Sequence, residues 1–507
     1  MIRQFTKNDL NAVMHYTGRV IIGLGFTMLI PLLVAIGYAE TTTILDFMIS
    51  ICLSFTFGLL CMRLFIVTSS PTTVQAMLIA SLSWLFACAF CAVPHFLSGH
   101  FGSFLDCYFD VMSGFTTTGL SLVQDLEHVS NGLNMWRHLL TYMGGQGIIV
   151  LALSFLIKNS GGAFKIMVGE GKDEALEPSI RKTAQNIWII SLVTLAAGTI
   201  MLSICAWIDG FSFDRGFFHS MWMFMSSWST GGFAPTTQNI IYYHSFSFEF
   251  VNVVFMILGS FNFALHYAVW KGNLRELKKN IELKSFFVTM SITVSMVGLG
   301  LALNVMYPSL MTIFRRGIFN VVSAHTGCGQ TTLYPVQYVH SFAPLAYLGV
   351  CLAMMFGGSV ASTAGGFKNM RIALLFKGIG HEIKKLLSPE NAVVVTKFHH
   401  IKDQILEMPL VYNAVLIIIG YLLIYTLGAV VGVAFGYTTY NSVFESISAA
   451  ANVGLSTGMT SPSMPDAIKV VYIFQMWIGR LEFLAVYVLF GSMGLLAMNW
   501  FKKRSFA

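Results

Sequence analysis

Charge is what this sequence has least of: Asp, Glu, Lys and Arg make up 10% of its 507 residues, against roughly a quarter in an ordinary soluble domain. With 55% hydrophobic residues, that scarcity excludes a water-soluble fold. Polar–apolar alternation is missing as well. The apolar stretches are continuous and about 20 residues long, the length that crosses a hydrocarbon core of roughly 30 Å, so they do not read as outer-membrane barrel strands. The eight cysteines lie mostly inside apolar runs without paired spacing and imply neither a disulfide framework nor a zinc site. Cys88 and Cys91 do form a CxxC, but on a membrane helix they read as small core residues rather than redox partners. There is no GxxxxGK loop and no GxGxxG after a strand, so no nucleotide site is visible. No nucleophile–base pair or ligand cluster stands at usable spacing, which argues against a membrane enzyme.

The formal net charge of +7 is segregated. Lys158, Lys165, Lys172, Arg181 and Lys182 share one linker, and Lys271, Arg275, Lys278, Lys279 and Lys284 a second. Lys368, Arg371, Lys377, Lys384, Lys385, Lys397 and Lys402 lie in or beside a third. By the positive-inside rule these linkers and both basic chain ends are cytoplasmic, so the charge serves topology and requires no nucleic acid. Met1 to Arg19 is polar, and the apolar run from Val20 to Gly37 lacks a clear small-residue cleavage site; it reads as a retained membrane helix, not a signal peptide.

The chain divides into an accessory helix pair (1–70) and four units of one pattern: a long apolar helix, a short apolar stretch too brief to span, and another long helix. The units cover 71–160, 184–270, 284–380 and 410–507, with linkers 161–183, 271–283 and 381–409. Their short elements are Phe104–Thr118, Arg215–Ser229, Arg316–Thr326 and Tyr440–Ala451. If each dips in from outside and returns, both ends of every unit fall on the side where the charge places the linkers. The expected fold is an all-α polytopic membrane protein with about ten spanning helices and four re-entrant repeats around a central pore.

Each short element ends in related sequence: Thr116-Thr117-Thr118-Gly119-Leu120-Ser121, Ser229-Thr230-Gly231-Gly232-Phe233, Thr326-Gly327-Cys328-Gly329-Gln330 and Ala451-Asn452-Val453-Gly454-Leu455-Ser456. Non-helical backbone at membrane depth is tolerated only against protein or a wet cavity. A ring of backbone carbonyls can replace a cation's hydration shell, and glycine can turn carbonyls inward because positive φ costs it nothing. The C-terminal partial charge of each short helix would favour a cation. One such segment alone could be a close helix-packing site; four in register point to a pore.

These residues carry a resemblance. The chain is similar to the Trk/Ktr/HKT superfamily of cation transporters, in its TrkH-like branch with an extra N-terminal helix pair, over nearly its whole length. Beyond the four segments, the likeness includes Gly144-Gly145-Gln146-Gly147-Ile148-Ile149-Val150-Leu151, Phe263-Ala264-Leu265-His266-Tyr267, Gly357-Gly358-Ser359-Val360-Ala361-Ser362-Thr363-Ala364-Gly365-Gly366-Phe367-Lys368 and Gly479-Arg480-Leu481-Glu482. The resemblance implies K+ held by backbone carbonyls of Thr117, Thr118 and Gly119; of Thr230, Gly231 and Gly232; of Thr326, Gly327, Cys328 and Gly329; and of Asn452, Val453 and Gly454. Glycine at all four matching positions, Gly119, Gly232, Gly329 and Gly454, favours potassium over sodium; Cys328 and Gln330 depart from the usual third segment. It further implies an intramembrane gate at 357–367, with Gly357, Gly358, Ser362, Thr363, Gly365 and Gly366, and a positive charge near the pore at Arg480.

Arg480 could instead make a structural contact with Glu482 or nearby carbonyls. His266 reads as a packing residue, and Lys368 and Arg371 are expected to snorkel at the cytoplasmic end of their helix. By resemblance, the protein sits in the cell (inner or plasma) membrane as a homodimer, binds no cofactor covalently, and leaves nucleotide to a TrkA- or KtrA-like cytosolic subunit. An ion-coupled secondary transporter is the alternative. It would need membrane-buried carboxylates, for which Asp46, Glu482, Asp106, Asp110 and Glu445 are the candidates.

Overall fold

The computed structural model describes residues 6–67, 71–123, 125–147, 180–303, 307 and 309–505. Ile148–Leu151 of the first glycine motif, Lys158, Lys165, Lys172 and nearly all of the linker 161–183 lie outside them. Apart from one two-stranded hairpin, every regular element among the described residues is helical.

The first helix starts at Lys7, well ahead of the apolar run, because its end is capped reciprocally. The Thr6 side chain accepts from the Asp9 N–H, and the Asp9 carboxylate accepts from the Thr6 N–H at 2.7 Å. The helix passes a joint at Met28, ends at Gly37 and is followed by Thr41–Leu64. Between them Glu40 accepts from the N–H groups of Asn131 and Gly132, at 2.7 and 3.0 Å. A carboxylate thus caps the N-terminus of a helix in the first repeat.

Each of the four repeats has an outer helix: Thr73–Cys91, Ile180–Ile208, Ile281–Leu303 and Met408–Ala434. The short helices that follow are Phe104–Phe115, Phe213–Trp228, residues 310–326 and Thr439–Ala450. Twelve residues rise only about 18 Å, so such a helix ends inside the membrane. Ser103, Ser309 and Thr438 cap three of these starts through their side chains. The third short helix begins at Leu310 rather than Arg316, and its extra length takes up a π turn at Phe314–Ile318. From that turn Arg315 reaches Glu249 of the second repeat with bonds of 2.5 and 2.8 Å.

Among the described residues, six helices are long and apolar enough to span a membrane, and two bent pairs supply further spans. The other two return segments are Asn131–Gln146, whose continuation lies outside the described residues, and Pro344–Phe356, which resumes as Asn369–Leu386. Each of the four return helices ends or breaks where it meets its short helix. The first reaches Gly147 at φ +79°, and the second bends by 99° at Ser260–Asn262. The third opens into residues 357–368, and the fourth bends by 117° at Leu481–Phe483.

Three of these breaks follow a glycine seated on the end of the short helix. A Cβ at Gly144 would lie 1.9 Å from the Phe115 carbonyl oxygen, at Gly259 2.1 Å from that of Trp228, and at Gly479 2.0 Å from that of Ala450. Side chains are excluded there, and the return helix backbone packs directly on the short helix terminus. In the third repeat the helix ends instead at Phe356, whose ring sits 6.2 Å from that of His325.

The linker 381–409, read above only as basic, folds as a hairpin of β1 (Lys397–His400) and β2 (Lys402–Ile405). His399 lies between two carboxylates, with Nε2 2.9 Å from Glu276 and Nδ1 2.7 Å from Asp403. Those hydrogen bonds raise its pKa, while His399 lowers that of Asp403. A raised histidine pKa contributes stability that is complete below the ordinary value and is lost as pH rises through the folded value. Amide hydrogen exchange of 397–405, corrected for intrinsic rates, should therefore accelerate as the pH rises above the ordinary histidine value of about 6.5. His399→Phe should remove that step; a step of the same size in the variant assigns it to another group.

Candidate functional site

All four short helices stop in the same way. The residue after the terminus is left-handed: Thr117 at φ +59°, Thr230 at +50°, Gly327 at +73° and Asn452 at +54°. The next N–H reaches back five residues, from Thr118 to Ser113, Gly231 to Ser226, Cys328 to Ser323 and Val453 to Ser448, at 2.7–2.9 Å. The left-handed residue itself bonds three residues back in each case. This paired pattern is the Schellman motif, which satisfies the last helical carbonyls without water. Two of the four left-handed residues are threonines, a conformation that strains a β-branched side chain.

Two residues later a second left-handed residue recurs, and here it is always glycine: Gly119 (φ +93°), Gly232 (+72°), Gly329 (+81°) and Gly454 (+89°). The four meet in a closed ring. A Cβ on Gly119 would lie 2.7 Å from the Gly231 carbonyl oxygen, on Gly232 2.5 Å from that of Cys328, on Gly329 1.8 Å from that of Val453, and on Gly454 1.9 Å from that of Thr118. Each glycine thus abuts the carbonyl preceding the glycine of the next repeat, in the order first, second, third, fourth and back to first. Any side chain would enter the neighbouring strand's backbone. Thr326 closes the third helix, its hydroxyl donating to the Val322 carbonyl at 2.8 Å.

The segment 357–368 lies where these strands begin. Its neck is closed by Phe367 N–H to Met355 O (2.9 Å) and Asn369 N–H to Gly358 O (3.0 Å), and a Cβ on Gly357 would meet the Gly365 carbonyl at 2.0 Å. Gly358 and Gly366 complete the neck, while the Ser362 hydroxyl donates within the loop to Ser359 O at 2.6 Å. The tip touches all four strands. Thr363 O accepts from the Thr117 hydroxyl at 3.2 Å, and its own hydroxyl lies 2.9 Å from that of Thr230. Ala364 packs by Gly327, and a Cβ on Gly365 would lie 2.1 Å from the Ala451 carbonyl oxygen.

Arg480 fastens the same place. Its guanidinium donates to Thr363 O (2.6 Å), Thr117 Oγ1 (3.3 Å), Gly144 O (2.7 Å) and Gly145 O (3.3 Å), joining the first, third and fourth repeats. Glu482, two residues on, binds Arg371 and lies 3.7 Å from Lys368 Nζ. Lys368 and Arg371 therefore do not snorkel: Lys368 is 4% exposed and donates to Ala364 O, anchoring the loop from below. The expectation placed them by sequence distance from an apolar run, and the loop folds that distance back inward. Glu282 was missed altogether; buried, it accepts from the Val360 N–H at 2.5 Å. Its place at the start of an apolar helix was the available signal. His266 bonds Leu258 O at 2.8 Å across the break in its own return helix, and among the described residues no three His, Cys, Asp or Glu side chains form a metal cluster.

Known proteins resemble this chain over nearly its whole length. The sequence model of the TrkH family, described as a cation transport protein, matches residues 39–495. The Trk system potassium uptake protein TrkG of Escherichia coli is 27% identical over 504 residues, 96% of this chain and 98% of its own. TrkH of Salmonella typhimurium is 28% identical over 395 residues, 76% and 78% of the two chains. An uncharacterized cation transporter of Methanocaldococcus jannaschii is 28% identical over 507 residues, 99% of this chain and all of its own. The crystal structure of the potassium transporter TrkH from Vibrio parahaemolyticus superposes with a TM-score of 0.78 over 95% of this chain and 98% of that one, at 24% identity. With nearly the whole length matched and the multi-pass helical fold shared, this chain belongs to the TrkH family of cation transport proteins.

Proposed function

We propose that this chain is the potassium-translocating subunit of a Trk-type uptake system. K+ passes through the ring formed by Thr117–Gly119, Thr230–Gly232, Thr326–Gly329 and Asn452–Gly454, and the loop 357–367 with Arg480 gates it. The supporting observation is the closed order of four left-handed glycines, each against its neighbour's carbonyl. Four chain segments converging by their backbones at the C-terminal ends of four short helices make a site for a partly dehydrated cation. The loop tip and the guanidinium occupy the approach to that site, which fits a barrier to cations. As a homodimer, the protein would take its regulation from a cytosolic nucleotide-binding subunit of the TrkA type, for which the basic linkers and the hairpin 397–405 offer contact surface.

Four of the five candidate carboxylates lend the ion-coupled alternative no support, and the fifth, Asp46, is half-buried on the accessory helix Thr41–Leu64. Asp106 pairs with Lys469 at 2.6 Å, Asp110 with Arg137 at 3.1 Å, and Glu445 accepts from Ser456, Thr457 and Thr460. With Glu482 also paired, these acids hold structure together rather than waiting for a proton or sodium ion.

The proposal predicts that the purified protein in liposomes takes up rubidium in strong preference to sodium; equal uptake of the two would overturn it. Gly119→Ser should lower the rubidium-to-sodium ratio by about tenfold, a difference on the order of 1.4 kcal/mol between the ions. An unchanged ratio in folded protein would remove Gly119 from the ion path. Arg480→Gln keeps a hydrogen-bond donor but removes the charge, and should raise flux per folded molecule several-fold, as should shortening the loop between Gly357 and Lys368. If both variants fold and conduct no faster, with the same dependence on the cytosolic partner, the gate lies elsewhere.

A further inference from the structure

In three repeats the strand leaving the ring is tied back to its own short helix by the same bond. The hydroxyl of Ser121 donates to Asp110 at 2.6 Å, that of Thr331 to Asn320 Oδ1 at 2.9 Å, and that of Ser456 to Glu445 at 2.5 Å. The hydroxyl residue stands two places after the ring glycine each time, and the acceptor is fully buried in the short helix. The second repeat carries Met223 and Ala234 at these two positions, and neither can make the bond.

That repeat is held from outside. Gln330, buried and projecting from the third strand, places Nε2 3.4 Å from the Met223 carbonyl oxygen and Oε1 3.1 Å from the Ser227 hydroxyl. The Ser227 hydroxyl also lies 2.6 Å from Asn252 Oδ1, so its one proton serves one of the two acceptors at a time. Further along, Asn239 donates to the Gly232 carbonyl at 3.4 Å and accepts from the Thr331 N–H at 3.3 Å. Cys328 Sγ lies 3.7 Å from Ser226 O. Both residues that set the third segment apart from the usual pattern are therefore directed at the second repeat.

We infer that Gln330 is a positioning residue for ion selectivity: it ties the third strand of the ring to the second short helix, whose end carries the strand that Met223 and Ala234 leave without a clamp of its own. The inference rests on the ring being the cation filter proposed above. A carbonyl ring discriminates through the number and the placement of its ligands, so a second short helix no longer tied to the third strand lets the ring close around the smaller sodium ion.

The test uses the full chain in liposomes, with rubidium and sodium uptake measured in parallel. A wild type without preference for rubidium would defeat the functional proposal itself, independently of Gln330. Given a selective wild type, Gln330→Leu should lower the ratio about fivefold, the effect of one lost hydrogen bond. Ser227→Ala, which removes the same tie from the helix side, should also lower the ratio and should add little to the loss in Gln330→Leu. Where Leu costs folded yield, Gln330→Met, unbranched and of similar length, makes the same measurement. An unchanged ratio in either folded variant, or a fall in total flux at constant ratio, overturns the assignment. So do losses that simply add when Ser227→Ala is combined with Gln330→Leu, because the two residues would then not act through one tie.

Discussion

A helix that ends inside a membrane leaves its last carbonyls with no water to bond them. Four helices end that way here, and one cap solves the problem four times: a left-handed residue lets the next N–H groups fold back onto the carbonyls of the final turn. The ring depends on this. Once the capping N–H groups are used, the chain leaves each terminus with its following carbonyls uncommitted to the helix, and the second left-handed residue turns it away again. Glycine is required at that second position because the neighbouring strand's carbonyl occupies the space of a Cβ.

The same economy of space governs the return helices. Gly144, Gly259 and Gly479 bring backbone against the capped termini, so the short helices are held by main chain and not by interdigitated side chains. The helix then breaks, and the break in the third repeat is long enough to carry a loop to the ring. The pseudo-symmetry is therefore close in the backbone and loose in the side chains. It is the unequal side chains, Thr363, Arg480 and Glu482 among them, that distinguish one approach to the ring from the other.

Much of this was legible in the sequence, because its signals are local. The short apolar stretches, the segments ending in Gly119, Gly232, Gly329 and Gly454, and the small-residue run from Gly357 each announce themselves within about a dozen residues. Glycine alone, however, could not reveal that Thr117, Thr230 and Asn452 are also left-handed, since that follows from capping and not from residue type. The breaks after Gly259 and Gly479 were hidden inside apolar runs that pass a span criterion as a whole. Glu282 and the Lys368–Glu482–Arg371 cluster were illegible for a different reason: their partners lie 78 to 114 positions away, a distance that only the closed repeat brings to contact.

The two strained threonines share one partner. Thr117 and Thr230 both bond Thr363, so the first two capped termini and the seat of the loop tip are joined by hydrogen bonds. Coupling between two such sites is reciprocal: the free energy by which the state of the ring biases the loop equals that by which the state of the loop biases the ring. An occupant that stabilises the ring would change the population of the displaced loop, and displacing the loop would change the ring's affinity for its occupant. With the ring as ion path and the loop as gate, as proposed, permeation and opening are two readings of one thermodynamic cycle, with Thr363 at the corner they share.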